Sequence, residues 1–395
     1  MNPWRGLKQL PKEMWIIFFT TLINRSGTMV LPFLVLYLTE VEKFTPANAG
    51  FVLFVYGLGA LLQAPFSGRL SDRIGKLRIL KFSLFFSGIV LFIFSFIRNY
   101  YLIYAAAFIW SIINESFRPA GLSLISEVVP QNQRKTAFAL NRLAINLGMS
   151  IGPVLGGILA TVNFSYLFYV DGITSVLAAL YLVLSKIKEP QVIHDDSGTK
   201  THIEGIIFKD SVFVIFILGV FPVAMIFFQH LGAMVLFVVN QLGQAPSAFG
   251  FLMAINTVLI ILVEVPLNNS LSKIKDKRLL SIGSILTGVG FGLMALINNI
   301  AGMAVAIIIW TFGEMIFFPS SASYIAEISP SKRRGEYMGF YQMTFSTAFA
   351  VGPWLGTKVY ESFGASTLWA GTFVIGLISF IIFYFIKERQ PLRMD

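Results

Sequence analysis

The chain has 395 residues, 56% of them hydrophobic and only 13% charged, with a net charge of +10 and a mean hydropathy of +0.75. Soluble domains carry about a quarter charged residues, so a water-facing globular surface is excluded. Nucleic-acid binding is excluded too, because the basic residues cluster between apolar stretches rather than along a polar face. The absence of cysteine rules out disulfides, thiol catalysis and thiolate metal sites.

In chain order, Met1 to Trp15 forms a basic, amphipathic arm. It leads into an apolar run too long for a signal peptide and without a cleavage site, so the first segment is expected to be retained. Apolar runs of spanning length lie at 14–39, 47–69, 79–97, 101–127, 136–162 and 164–186. A polar stretch from Lys186 to Asp210 follows. Six more runs lie at 211–239, 246–270, 279–298, 300–328, 336–360 and 366–386. This pattern predicts an all-α membrane protein of twelve transmembrane helices. The expected units are an N-terminal six-helix bundle (1–186), a cytoplasmic linker (187–210) and a C-terminal six-helix bundle (211–395).

With the N-terminus inside, 24 Lys and Arg residues fall in inner loops and tails, against Lys43, Arg98 and Lys358 outside. Both termini are therefore expected in the cytoplasm of a multi-pass plasma-membrane protein, a bacterial inner membrane being the natural setting.

Trp110 to Gly156 matches Trp310 to Gly356 at a constant offset of 200, without a gap. Trp110/Trp310, Pro119/Pro319, Glu127/Glu327, Pro130/Pro330 and Arg134/Arg334 coincide, as do Gly152/Gly352, Pro153/Pro353 and Gly156/Gly356. Two apolar helices share leucines cheaply, but not Trp, Glu, Arg and two proline motifs. Such internal symmetry marks transporter folds, in which two repeats rock about a site between them.

Between the second and third runs stands Gly68-Arg69-Leu70-Ser71-Asp72-Arg73-Ile74-Gly75-Lys76. This resembles the signature loop of the major facilitator superfamily, G-x-L-x-D-R-x-G-R/K, at the family's place in the topology. The resemblance covers the whole chain and implies two pseudo-symmetric six-helix bundles. It also implies a conformational latch made by Asp72 and Arg73, with Gly68 and Gly75 shaping the loop and Glu127 and Arg134 as partners. An ordinary positive-inside turn is the plainer reading. The equivalent second-half loop, Asn268 to Arg278, keeps the charge and lacks both glycines, so the latch is expected to be asymmetric.

In the fifth run, Gly148, Gly152, Pro153 and Gly156 form a helix-packing motif. It is similar to the Gly-Pro-rich motif of the drug/proton antiporter branch of that superfamily. Its second copy at Gly352, Pro353 and Gly356 weakens that signal. The first run also resembles proton-coupled peptide transporters, although Thr21 and Asn24 stand where their acids would be.

A charge at bilayer depth costs about 2.5–3.5 kcal/mol or more, which marks it as a functional candidate. Glu115, Arg25, Arg118, Arg142 and Glu314 are the candidates for proton coupling or substrate contact. Glu115 and Arg118 share a helical face, and Asn114 aligns with Glu314. The competing reading is a set of static ion pairs that fix helix packing, and that reading is preferred for Asp171, Glu264 and His230. Arginines at depth favour a substrate with some negative charge.

The expectation is a secondary transporter, most sharply an exporter of a small organic or amphipathic solute in exchange for protons. Uptake of a peptide, siderophore or organic acid is the alternative. A membrane enzyme or receptor is disfavoured, because no H-E-x-x-H or G-x-x-x-x-G-K occurs. No cofactor or metal is expected. The partners are a small-molecule substrate, protons or another coupling ion, and lipid, around a monomer.

Overall fold

The computed structural model describes residues 7–185, 187, 207–330 and 333–386; the side chains of residues 8, 64, 65, 67–69, 71–73, 132 and 135 are outside that description. Most of the expected linker, 187–210, lies outside the described residues, as do the Asp72 and Arg73 side chains of the expected latch.

Every regular element described is helical. The helices are α1 (Lys12–Ser26), α2 (Val30–Glu40), α3 (Pro46–Ile74), α4 (Lys76–Phe94), α5 (Tyr100–Glu115), α6 (Phe117–Val128), α7 (Arg134–Val162) and α8 (Ser165–Leu184). The second set is α9 (Ser211–Phe227), α10 (Ala233–Leu236), α11 (Pro246–Leu271), α12 (Asp276–Leu293), α13 (Ile300–Ile328) and α14 (Arg334–Phe385).

Nine stretches among the described residues are individually long and apolar enough to span a bilayer. The other three crossings have local reasons for missing that mark. The fourth is split into α5 and α6; the ninth, α12, opens with Asp276, Lys277 and Arg278. The eleventh and twelfth run together as α14, interrupted at Gly364, whose φ is 80°. Twelve crossings in two bundles result.

The breaks have physical causes. The first crossing is interrupted between Ser26 and Val30. There the Asp171 carboxylate of α8 accepts hydrogen bonds from the backbone N–H groups of Met29 and Val30, each at 3.1 Å. That satisfies orphan donors at the start of α2, where lipid could not. In the seventh, Phe228–Leu231 tightens to a 3-10 turn, and after α10, Phe237–Gln241 loosens to a π turn. Entry into α5 is capped by Asn99, whose side chain accepts from Tyr101 and Leu102 N–H at 3.0 and 3.2 Å.

The repeat extends into the backbone. Pro46 and Pro246 open α3 and α11. Just before them, Lys43 and Gly243, again 200 apart, both have positive φ, at 58° and 64°. Lys43 is the one non-glycine residue with positive φ among the described residues, so the turn overrides the preference of its side chain.

The packing is wedge-shaped. At the face carrying the α2–α3 turn, one apolar core joins both bundles, from Phe33, Tyr56 and Trp110 to Phe249, Phe291 and Trp310. At the opposite face, where α1 begins and α14 ends, there are two separate cores. One is built from α1, α4, α6, α7 and α8, the other from α9, α12, α13 and α14. The bundles touch at the first face and part at the second.

Candidate functional site

Between the parted bundles lies a cavity of about 700 Å³. Its first wall is supplied by α1 (Thr21, Arg25), the α5–α6 junction (Glu115, Phe117, Arg118) and α7 (Phe138, Asn141, Arg142). The second wall comes from the end of α9 and the following 3-10 turn (Phe227, Phe228), α13 (Glu314, Phe318) and α14 (Gln342, Phe345, Phe349). All five charged candidates, Arg25, Glu115, Arg118, Arg142 and Glu314, line this one space.

Prolines shape the carboxylate positions. Pro119 has no N–H to give the Glu115 carbonyl, and the helix breaks there. Pro319 likewise frees the Met315 carbonyl, which accepts a hydrogen bond from Asn268 Nδ2 at 3.2 Å, and α13 stays continuous. Glu115 Oε1 accepts from the Tyr56 hydroxyl at 2.8 Å and from Asn114 Nδ2 at 3.3 Å. Asn114 also donates to Tyr56 at 2.8 Å. Glu314 Oε2 accepts from Asn256 Nδ2 at 2.8 Å. Tyr56 and Asn256 stand 200 residues apart, so the repeat supplies each carboxylate with a neutral donor from the matching helix.

The arginines differ. Arg142 pairs with Glu264, joining α7 to α11 across the seam between the bundles. Arg25 sits 5.9 Å from the Phe117 ring centre, and its buried Nε has no hydrogen-bond partner. Neither Arg25 nor Arg118 makes an ion pair among the described residues.

The packing glycines press α7 against the first crossing. A side chain at Gly148 would meet Arg25, one at Gly152 the Thr28 carbonyl, and one at Gly156 Met29 and Phe33. Pro153 faces Gly250 of α11 across the seam. Closure is completed by Gly57 against Ala350, by the edge-on Phe33–Phe249 pair at 5.4 Å, and by the Ala47 N–H donating to Glu361 at 2.7 Å.

Around the signature loop, Gly68 lies within α3 and Gly75 turns into α4 with a φ of 99°. Glu127 is bonded to Lys76, the first residue of α4. Arg134 opens α7, and its buried Nε has no hydrogen-bond partner. His230 Nδ1 lies 2.6 Å from the Phe227 carbonyl, and its ring stacks towards Trp310 in the core. It does not line the cavity. Tyr56, Asn114, Asn256 and Lys76 were not singled out by the sequence. A tyrosine or asparagine in an apolar run reads as packing, and only the offset of 200 ties Tyr56 to Asn256.

Two six-helix bundles around a cavity that opens at one face have the architecture of a membrane transporter. The chain belongs to the Major Facilitator Superfamily, whose family model matches residues 14–243 and 223–394. It is 22% identical over 374 residues to an uncharacterised MFS-type transporter, YqjV, of Bacillus subtilis, covering 92% of this chain and 90% of that one. It is 24% identical over 405 residues to a Na(+), Li(+), K(+)/H(+) antiporter of Planococcus maritimus, covering 93% and 94%. Over 191 residues it is 26% identical to the quinolone resistance protein NorA of Staphylococcus aureus, covering 48% and 47%. Among solved structures, the nucleoside transporter NupG superposes with a TM-score of 0.82 at 16% identity, over 96% of this chain and 100% of that one.

Proposed function

We propose that this protein exports a small organic or amphipathic solute in exchange for protons by alternating access. In this reading the parted face is cytoplasmic, as the distribution of Lys and Arg argues, the membrane is a bacterial inner membrane, and the working unit is the monomer. The observation that carries it is the pair of carboxylates, Glu115 and Glu314, held only by neutral donors among the described residues, in a cavity closed at the other face.

When the outer face opens, Glu115 can take a proton from outside. When the inner face opens, it can release that proton and the cavity can accept solute. The printed names of the Planococcus antiporter and of NorA support exchange and efflux. Asp72, Arg73, Glu127 and Arg134 are proposed to hold the inner face closed in the opposite state.

The test is transport in proteoliposomes under an imposed pH gradient, against a small panel of organic solutes. Glu115→Gln is expected to insert and purify normally but to lose gradient-driven transport. Full activity in that variant, or wild-type transport indifferent to the gradient, overturns the reading.

A further inference from the structure

The cavity is polarised. All three arginines lie on the first wall, while five phenylalanines, at 227, 228, 318, 345 and 349, lie on the second. Arg142 already has Glu264 as counter-ion. Arg25 and Arg118 have no carboxylate within 4 Å among the described residues. Glu115, three residues before Arg118, accepts instead from Tyr56 and Asn114. Arg25 is left with an unpartnered buried Nε and the face of Phe117.

A guanidinium over a benzene ring gains less than one bonded to an anion. Arg25, held over that ring, and Arg118, exposed to the cavity, are therefore left without a counter-charge of their own. From this arrangement we infer that the transported solute is an amphipathic organic anion. Its carboxylate, sulfonate or phosphate lies between Arg25 and Arg118, and its apolar, preferably aromatic, body lies against the phenylalanines of α9, α13 and α14. This deepens the proposed export function and rests on it for the word transported; the binding preference stands on the cavity alone.

An anion also gives the arginines a role in the cycle. Solute on Arg25 and Arg118 brings negative charge into the same cavity that Glu115 lines. Proton and solute would then alternate in one electrostatic environment.

The experiment is isothermal titration calorimetry on the protein in nanodiscs, at one pH and without a gradient, with empty nanodiscs as the partition control. The probes share one bicyclic body: 1-naphthoate, 1-naphthamide and 1-naphthylmethylamine. The carboxylate is expected to bind at least about tenfold more tightly than the amide or the amine. Arg118→Gln, whose side chain faces open cavity, and Arg25→Gln are each expected to remove that preference. Arg25→Lys is expected to keep part of it. Size exclusion and thermal unfolding report whether each variant is folded, and the three-probe comparison on the wild-type chain decides the matter if one is not.

Tighter binding of the amine, no measurable binding of the carboxylate up to about 10 mM, or a preference unchanged in both folded glutamine variants overturns the inference. Proton exchange fails separately. Carboxylate binding with no gradient-driven transport sinks the exchange alone, and gradient-driven transport of the amine without carboxylate binding sinks the inference alone.

Discussion

Gly250 of α11 lies against the Pro153 carbonyl of α7, across the seam that closes one face, and a single added Cβ there has no room. Gly288 also lies too close to Gly376 for an added Cβ, but that contact joins α12 to α14 inside one bundle. The two substitutions should therefore fail in different ways. Overpacking costs about 1–3 kcal/mol when neighbours cannot yield. In Gly250→Ala the bundles can escape the cost by rocking apart at that face. A strain of about 1–3 kcal/mol against the closed seam then becomes a shift of about 5–150-fold towards the state open at that face. Gly288→Ala has no rocking escape and should lower thermal stability instead. The chain contains no cysteine, so spin labels can be placed at Val162 and Gln241, exposed near the closed ends of the two bundles, without removing native thiols. Electron–electron distance measurements should show a longer-distance population grow in Gly250→Ala and stay at the wild-type level in Gly288→Ala. An unchanged distance distribution in Gly250→Ala, with the protein folded, would refute the reasoning.

The Arg142–Glu264 pair should respond asymmetrically. The Glu264 side chain is 10% exposed and that of Arg142 60%, so Arg142→Gln strands the more buried charge. A fully buried pair broken on one side costs about 3–5 kcal/mol; with Arg142 half in the cavity, about 2–3 kcal/mol is expected, against about 0–1 kcal/mol for Glu264→Gln. Thermal shifts of the two variants and of the double variant check this, and equal, additive effects would contradict it. Asp171→Ala removes the acceptor for two backbone N–H groups and should cost about 1–3 kcal/mol, seen as a lower unfolding temperature, with Asp171→Asn losing less. Tyr56→Phe removes a donor to Glu115 while keeping the ring packed on Trp110. It should move the pH profile of transport with little change in stability, and an unmoved profile would separate Tyr56 from coupling.

The positions of the helices and of the deep charges were legible because the bilayer makes both expensive to fake. An apolar run of spanning length has few other uses, and an arginine such as Arg118 survives at depth where a cavity hydrates it. The repeat was legible wherever side chains had been kept, as at Trp110/Trp310. It was not legible at Lys43/Gly243, where only backbone geometry is shared. Contacts spanning more than a hundred residues left no local signal. The break in the first crossing depends on Asp171, 142 positions from Met29, and the partner of Arg142 lies in the other bundle. The separation of the eleventh and twelfth crossings, by contrast, was legible, because the runs 336–360 and 366–386 leave a gap that contains Gly364. Gly364 carries a positive φ of 80° and marks the kink between them.

A body with one shared core at one face and two separate cores at the other takes up unequal area in the two leaflets. Opening the cavity pushes lipid sideways in one leaflet and draws the other inward. Lateral pressure therefore does work on the protein at every turnover, of opposite sign in the two halves of the cycle. Lipids that crowd the headgroup region on one side, or tension applied to the membrane, act on the resting equilibrium as directly as a bound ligand would. Turnover in vesicles of different lipid shape is accordingly a property of the bilayer as well as of the cavity.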